Sequence, residues 1–243
     1  PCPWRRWQTG WSNKSMSRKQ EIEDNLNQVR QKIAAAAAKN GRNQNEINLI
    51  VVTKTFPISD LEILYSLGLR EFGENRDQEA SVKAEALPKD INWHFQGGIQ
   101  SNKLKSICSW ASVVHSVDQF KYAQIISEQV NTKPRQIFIQ VSLDEPPESR
   151  GGVDPAKLVE LAKQISSLSN IKILGLMAVG PVDQEVEPAF ARLQQIQADF
   201  LTHFKDAVFL SSGMSGDYEM AISYGATHLR IGSSILGIRA PIK

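Results

Sequence analysis

A lysine ends the first apolar run of this chain. In LIVVTKTFP (residues 49–57) a buried-strand pattern leads straight into Lys54, which stands between two threonines and ahead of a turn proline. An ammonium in that position is either a solvated strand-end group or an amine that attacks carbonyls once it is partly desolvated and unprotonated. Much further along come two stretches of glycine and hydroxyl residues, SSGMSGD (211–217) and RIGSS (230–234). Small residues let backbone N–H groups approach an anion, hydroxyls add donors, and a helix N-terminus adds partial positive charge. Taken singly, Ser215 reads as a helix cap and Gly232 as a tight turn.

What could bring these segments together is legible in the intervening pattern. Ser17 to Asn40 reads as an amphipathic helix, with Ile22, Leu26, Val29 and Ile33 on one face and Gly41 as its stop. Eight apolar, β-branched segments follow: NLIVVTK (48–54), LREFGEN (69–75), NWHFQGG (92–98), VVHSVD (113–118), QIFIQVSL (136–143), IKILGLMAV (171–179), AVFLSS (207–212) and THLRIGSSILG (227–237). Helical signals lie between them. SDLEILYSLG opens with a Ser-x-x-Glu capping box, Asp154 and Pro155 begin VDPAKLVELAKQISSL as cap and first-turn residue, and EPAFARLQQIQADFLTHF has apolar residues at helical spacing. Offsets of roughly 20 to 36 residues between strands suit right-handed βαβ crossovers. The expectation is a single α/β domain, a (β/α)₈ TIM barrel behind a leading helix. A doubly wound open sheet is the rival, and the Gly-x-Gly-x-x-Gly turn it often carries is missing.

Composition sets bounds on function. The chain is 41% hydrophobic and 22% charged, with no apolar run long enough to span a bilayer. Its formal charge of +2 owes much to Arg5, Arg6 and Lys14; without residues 1–15 there remain 25 basic and 26 acidic residues. That near-neutral body lacks a nucleic-acid footprint. Residues 1–15 also hold Trp4, Trp7 and Trp11 without an apolar signal core, and read as a disordered or non-native extension ahead of a domain over 16–243, with Met16 as an alternative start. A short basic-aromatic contact segment is the other reading. Cys2 and Cys108 are far apart, as expected of a reduced cytoplasmic protein. The four histidines lack metal-ligand spacing, and no metal is expected.

In such a barrel the active groups sit at the C-terminal ends of the strands, and a phosphate site commonly forms after strands seven and eight. Those ends read Lys54, Asn75, His94 with Gln96, Ser116 and Met177, then SSGMSGD and RIGSS. The joint placement of Ser215, Gly216, Gly232 and Ser233 favours a phosphate site over an isolated cap and turn. Opposite it, Lys54 would meet a carbonyl. Pyridoxal 5′-phosphate (PLP) carries both groups; a cofactor-free aldolase acting on a sugar phosphate would show the same strand ends.

The strings VVTKT, FGEN, WHFQGGIQSNK, HSVD, GLM, GMSGD and RIGSSILG run in order from about residue 50 to 239 and closely resemble those of the YggS/PROSC family, the pyridoxal phosphate homeostasis proteins. The resemblance implies a monomeric barrel of fold-type III, similar to that of alanine racemase without its C-terminal β domain. It implies a covalent aldimine of PLP to Lys54, phosphate contacts from Ser215, Gly216, Gly232 and Ser233, and Arg230 lining the cofactor. Asn75, His94 and Met177 match pocket positions. The implied role is vitamin B6 homeostasis, in which PLP is held on Lys54 and exchanged or delivered to PLP-dependent client enzymes without robust turnover.

Relatives commonly read SKT, GENY, HFIGHLQ and LSMGMSGD where this chain has Thr53, Arg76, Gln96 with Gly98, and Ser212; they often carry a lysine where Arg150 stands. These departures leave the lysine and phosphate elements intact and bear on cofactor exchange. The alternative is a PLP-dependent amino-acid racemase-like enzyme, which needs an acid/base on each face of the substrate α-carbon. In alanine racemase the second base is a tyrosine that belongs to the β-rich domain and the partner subunit, and this chain ends at Lys243, six residues after the eighth strand segment. Its tyrosines, 65, 122, 218 and 224, fall in helical segments, and His94 is either a base or a packed strand histidine.

Overall fold

A computed structural model describes residues 16–129, 133–144, 151–180 and 185–238. Residues 1–15 and Arg150, for which expectations were stated above, lie outside the described residues.

The leading helix α1 (Arg18–Lys39) begins where Ser17 accepts the N–H of Gln20, and its ends are fixed by local chemistry. At its C-terminus Gly41 takes φ 65°, the Gly41 N–H bonds to Ala38 O and the Arg42 N–H to Ala37 O. That pair of bonds is a Schellman motif, which glycine enters without Cβ strain. The buried stripe is Ile22, Leu26, Val29, Ile33, Ala36 and Ala37, as the four–three–four spacing predicts.

Eight parallel strands close into a barrel in sequence order, each hydrogen-bonded to the next and the last to the first. The first half runs β1 (Asn48–Val52), α2 (Ile58–Ser66), β2 (Glu71–Glu74), α3 (Asp77–Ala86), β3 (Asn92–Phe95), α4 (Leu104–Trp110), β4 (Val113–Val117) and α5 (Phe120–Glu128). The second half runs β5 (Arg135–Gln140), α6 (Leu158–Ser166), β6 (Ile171–Met177), α7 (Val186–Leu201), β7 (Phe209–Ser211), α8 (Tyr218–Ser223), β8 (His228–Ile231) and α9 (Ser233–Leu236). All eight expected strands are present, most of them shorter at their C-terminal ends than the apolar pattern suggests. The residues trimmed there form the loops around the barrel mouth.

Two expectations are corrected. Ser59 does not cap α2: the cap position is Pro57, extended at φ −70°, ψ 158°, with no side-chain cap bond. Asp60 in that first turn instead pairs with Arg18 of α1 at 2.7 Å. The eighth segment is not one strand but β8 and then α9, because the chain turns at Gly232 and sends Ile235 and Leu236 into the layer between helices and barrel.

Alternation along the strands splits the core in two. One set of side chains, including Val51, Phe72, Ile137, Leu229 and Ile231, belongs to the apolar layer beneath the helices. The inward set is mixed: Phe138, Leu174 and Met177 share the interior with His94, His115, Ser211, His228 and Arg230. α1 joins the outer layer and is tied to α9 by Asn25, which donates to Ile235 O at 3.1 Å, and by Arg18, which donates to Leu236 O at 2.9 Å. Ile22 is fully buried in that layer. Ile22→Ala is therefore expected to lower unfolding stability by about 2–5 kcal/mol in urea denaturation, with little change in the slope; a loss below about 1 kcal/mol would mean that α1 is only loosely docked.

Candidate functional site

The C-terminal ends of the strands open onto one cavity of about 740 Å³. Its wall carries Lys54 after β1, Asn75 after β2, Met177 at the end of β6, Ser215 and Gly216 after β7, Arg230 on β8, and Gly232 and Ser233 after it. Eight of the nine residues singled out from the sequence thus share one space. Val52 and Phe56 flank Lys54 on the wall. Val52 could have been read two residues before Lys54 on the same strand face.

His94 is the exception, because it lies below the cavity inside the barrel. Its Nδ1 is 2.8 Å from His115 Nε2 and its Nε2 is 2.6 Å from Glu71 Oε2, while His115 Nδ1 is 2.9 Å from Ser211 Oγ. Arg230 closes the column, donating through Nη1 to Ser211 Oγ at 2.7 Å and through Nη2 to Ala178 O at 2.8 Å. One proton arrangement satisfies every link: Arg230 donates to Ser211, Ser211 to His115, His115 to His94, and His94 to the Glu71 carboxylate. Burial raises the pKa of Glu71, but hydrogen bonds from His94 and Asn92 outweigh it and hold the carboxyl below its ordinary value. Arg230 is 4% exposed. Burial pulls its pKa down to about 10 against the pull of Asp217, so it remains a cation at neutral pH.

The loops after β7 and β8 are stitched together at the cavity edge. Ser215 does not cap α8; Asp217 holds that position and accepts the N–H of Met214 at 2.6 Å. Ser215 Oγ instead accepts the N–H groups of Gly232 and Ser234, each at 3.3 Å, and Ser215 O accepts from Ser234 Oγ at 3.3 Å. Both α8 and α9 begin near this junction, so the first turns of two helices lie beside Arg230 on the cavity wall.

Two polar atoms on residues of the cavity wall are buried without a partner among the described residues: Asn75 Oδ1 and Gln96 Nε2. The bare backbone of Gly73 makes room for Gln96, since a Cβ there would sit 1.8 Å from its Nε2. Gln96 was legible as a strand-end residue but carried no signal of its own as a binder. An amine, a cationic corner lined with glycine and serine, and two unmatched polar atoms fit a phosphorylated ring that bears a carbonyl and polar substituents.

A family model described as alanine racemase, N-terminal domain, matches residues 18–240. The pyridoxal phosphate homeostasis protein of Pseudomonas aeruginosa is 39% identical over 224 residues, covering 90% of this chain and 96% of that protein. A structure of PipY from Synechococcus elongatus PCC7942 with PLP bound superposes with a TM-score of 0.77 at 30% identity, over 89% of this chain and 100% of that one. An alanine racemase from Clostridium difficile 630 shares the fold alone, with a TM-score of 0.69 at 14% identity over 91% of this chain and 57% of that one.

The interior histidines make stability depend on pH. Burial pushes His228 down to about 4, helped by His94 and Arg230 and opposed by Glu71; burial, His94, Arg230 and His228 push His115 well below its ordinary value. The folded state therefore binds fewer protons than the unfolded one in the window from about 6.5 down to about 4. The corresponding stability is fully present above pH 6.5 and is lost as pH falls through that window. Urea midpoints measured at pH 7, 5.5 and 4.5 should fall steadily, and His228→Gln should flatten the trend by roughly 3 kcal/mol over the full window; an unchanged slope would show that His228 titrates normally.

Proposed function

The chain belongs to the pyridoxal phosphate homeostasis family within the alanine racemase N-terminal domain group, and from that premise we propose that it binds PLP and serves vitamin B6 homeostasis. The observation that carries this is the meeting of Lys54 with the Ser215–Gly232 junction and Arg230 on one cavity wall. When bound, PLP supplies an aldehyde that condenses with the Lys54 amine to a Schiff base, releasing one water. The rest of the work falls to the chain. Backbone N–H groups and hydroxyls of Ser215, Gly216, Gly232 and Ser233 bind the phosphate, and Arg230, oriented by Ser211 and Ala178, lends it charge. Asn75 and Gln96 bind polar substituents of the ring, and Met177 packs against it.

The binding unit is residues 16–243, acting as a cytoplasmic monomer that exchanges PLP or delivers it to PLP-dependent client enzymes. Carriage is favoured over turnover by the wall itself. Among the described residues, its lining holds no tyrosine, histidine or carboxylate that could serve as a second acid/base opposite Lys54. His94 has both ring nitrogens engaged below it.

The test is a near-UV and visible scan of the purified protein with PLP, before and after borohydride, followed by peptide mass mapping. A yellow band bleached by borohydride and a pyridoxyl mass on the Lys54 peptide are expected. Lys54→Ala should lose the band while its unfolding transition stays intact, since Lys54 is a mouth residue and not core volume. Ser215→Ala should weaken PLP retention by about tenfold, the worth of one hydrogen bond to a charged group. A colourless protein in the presence of PLP would defeat the reading and leave the aldolase alternative.

A further inference from the structure

The segment that carries Lys54 is wound in an uncommon way. Thr53 O accepts the N–H of Phe56, closing a four-residue turn with Lys54 and Thr55 at its centre, and Thr55 takes φ 69°. That is the sign a type II turn requires at its third residue, where glycine or asparagine is the ordinary choice. A β-branched residue is strained there, and Thr55 is the one non-glycine residue with positive φ among the described residues. Such strain persists only where the surroundings over-determine it.

What holds it is a buried ionic cluster between the barrel wall and α3. Lys83, 4% exposed, donates to three oxygens: Thr53 O at 2.8 Å, Glu74 Oε1 at 2.8 Å and Glu79 Oε1 at 2.5 Å. Glu74 Oε1 also accepts from Thr53 Oγ1 at 2.7 Å, and Glu79 Oε1 accepts the N–H of Thr55 at 2.5 Å. The backbone is thus gripped immediately before Lys54 through a carbonyl and immediately after it through an N–H. This arrangement is poor stability design. Glu74 is fully buried, and its Oε2 has no partner among the described residues. Burial drives its pKa up against the pull of Lys83. Apolar residues of similar volume would often stabilise such a site as well or better.

We infer that Lys83, Glu74 and Glu79 are positioning residues for Lys54: they keep the Thr53–Phe56 turn wound so that the amine enters the cavity at a fixed angle, and thereby set how fast it joins a bound aldehyde. The inference rests on the reading of Lys54 given above. In that step the Lys54 nitrogen forms a bond to the aldehyde carbon, the carbonyl oxygen departs as water, and any ammonium proton passes to solvent. The cluster takes no part in the bond changes and acts through geometry, where a displacement near 1 Å can slow reaction by as much as about a hundredfold.

The decisive comparison uses PLP and pyridoxine 5′-phosphate, which has an alcohol in place of the aldehyde and binds without a covalent step. In Glu79→Ala, stopped-flow absorbance with PLP should show bond formation slowed by about tenfold or more, while affinity for pyridoxine 5′-phosphate changes by less than about twofold. Adding Thr55→Gly, which accepts positive φ without strain, should restore most of the rate. If Glu79→Ala does not fold, Glu79→Gln, which keeps an acceptor for Thr55 but drops the charge beside Lys83, should show a smaller loss of about threefold with the same recovery. Parallel losses with both ligands, or an unchanged rate, overturn the positioning role. A wild-type chain that forms no borohydride-trapped bond at Lys54 overturns the reading of the site instead, so the two failures are distinguishable.

Discussion

The seam at which the barrel closes governs everything at the mouth. β8 pairs with β1 in parallel from Asn48↔His228 to Val51↔Ile231. Residues nearly two hundred positions apart therefore leave the sheet side by side, Lys54 from one strand and Gly232 from the other. Parallel closure also sends all eight C-terminal ends in one direction, so that every strand contributes to one rim. The Ser215 hydroxyl then fastens the seventh loop to the eighth. The pairing of β1 with β8 is far from local in sequence, and the placing of Lys54 beside Gly232 would be lost if the sheet opened at that seam.

The inner and outer faces of the same strands do different electrostatic work. Inside, a hydrogen-bonded chain of Ser211, His115 and His94 spans the distance from Arg230 to Glu71, so the polar groups of the interior find partners in one another. Outside, one ammonium is shared by two carboxylates against a single turn. The inner column holds Arg230; the outer cluster holds the turn that carries Lys54. The two supports approach the cavity from opposite sides of one wall.

Local patterns announced the fold well. The β-branched runs, the stop at Gly41, the cap at Asp154 and the glycine–serine loops each follow from the chemistry of a few neighbouring residues. Where the pattern misled, longer-range contacts had decided. Ser59 lost its capping role because Pro57 sets the entry of α2 and Asp60 is drawn to Arg18, and the eighth apolar segment divides because its second half packs as a helix. His94 matched a pocket position by resemblance, yet its partners come from β2 and β4 and draw it down into the barrel. Glu79 and Lys83 stand four apart on a helix and look like an ordinary exposed pair; only the packing of α3 on β1 and β2 turns them into a buried anchor. The partner of Ser215 was equally invisible, since nothing near it in sequence announces the N–H of Gly232.

The column of side chains within the barrel makes the cavity a cul-de-sac. With Phe138 stacked 4.5 Å from His115 and edge-on to His228 at 5.1 Å in the same layer, the described residues fill the floor beneath the mouth. Whatever enters by the mouth must leave by the same doorway, so loading and unloading share one queue. A recipient that takes its cargo face to face would have to stand at the entrance, and while it stood there it would bar the next arrival.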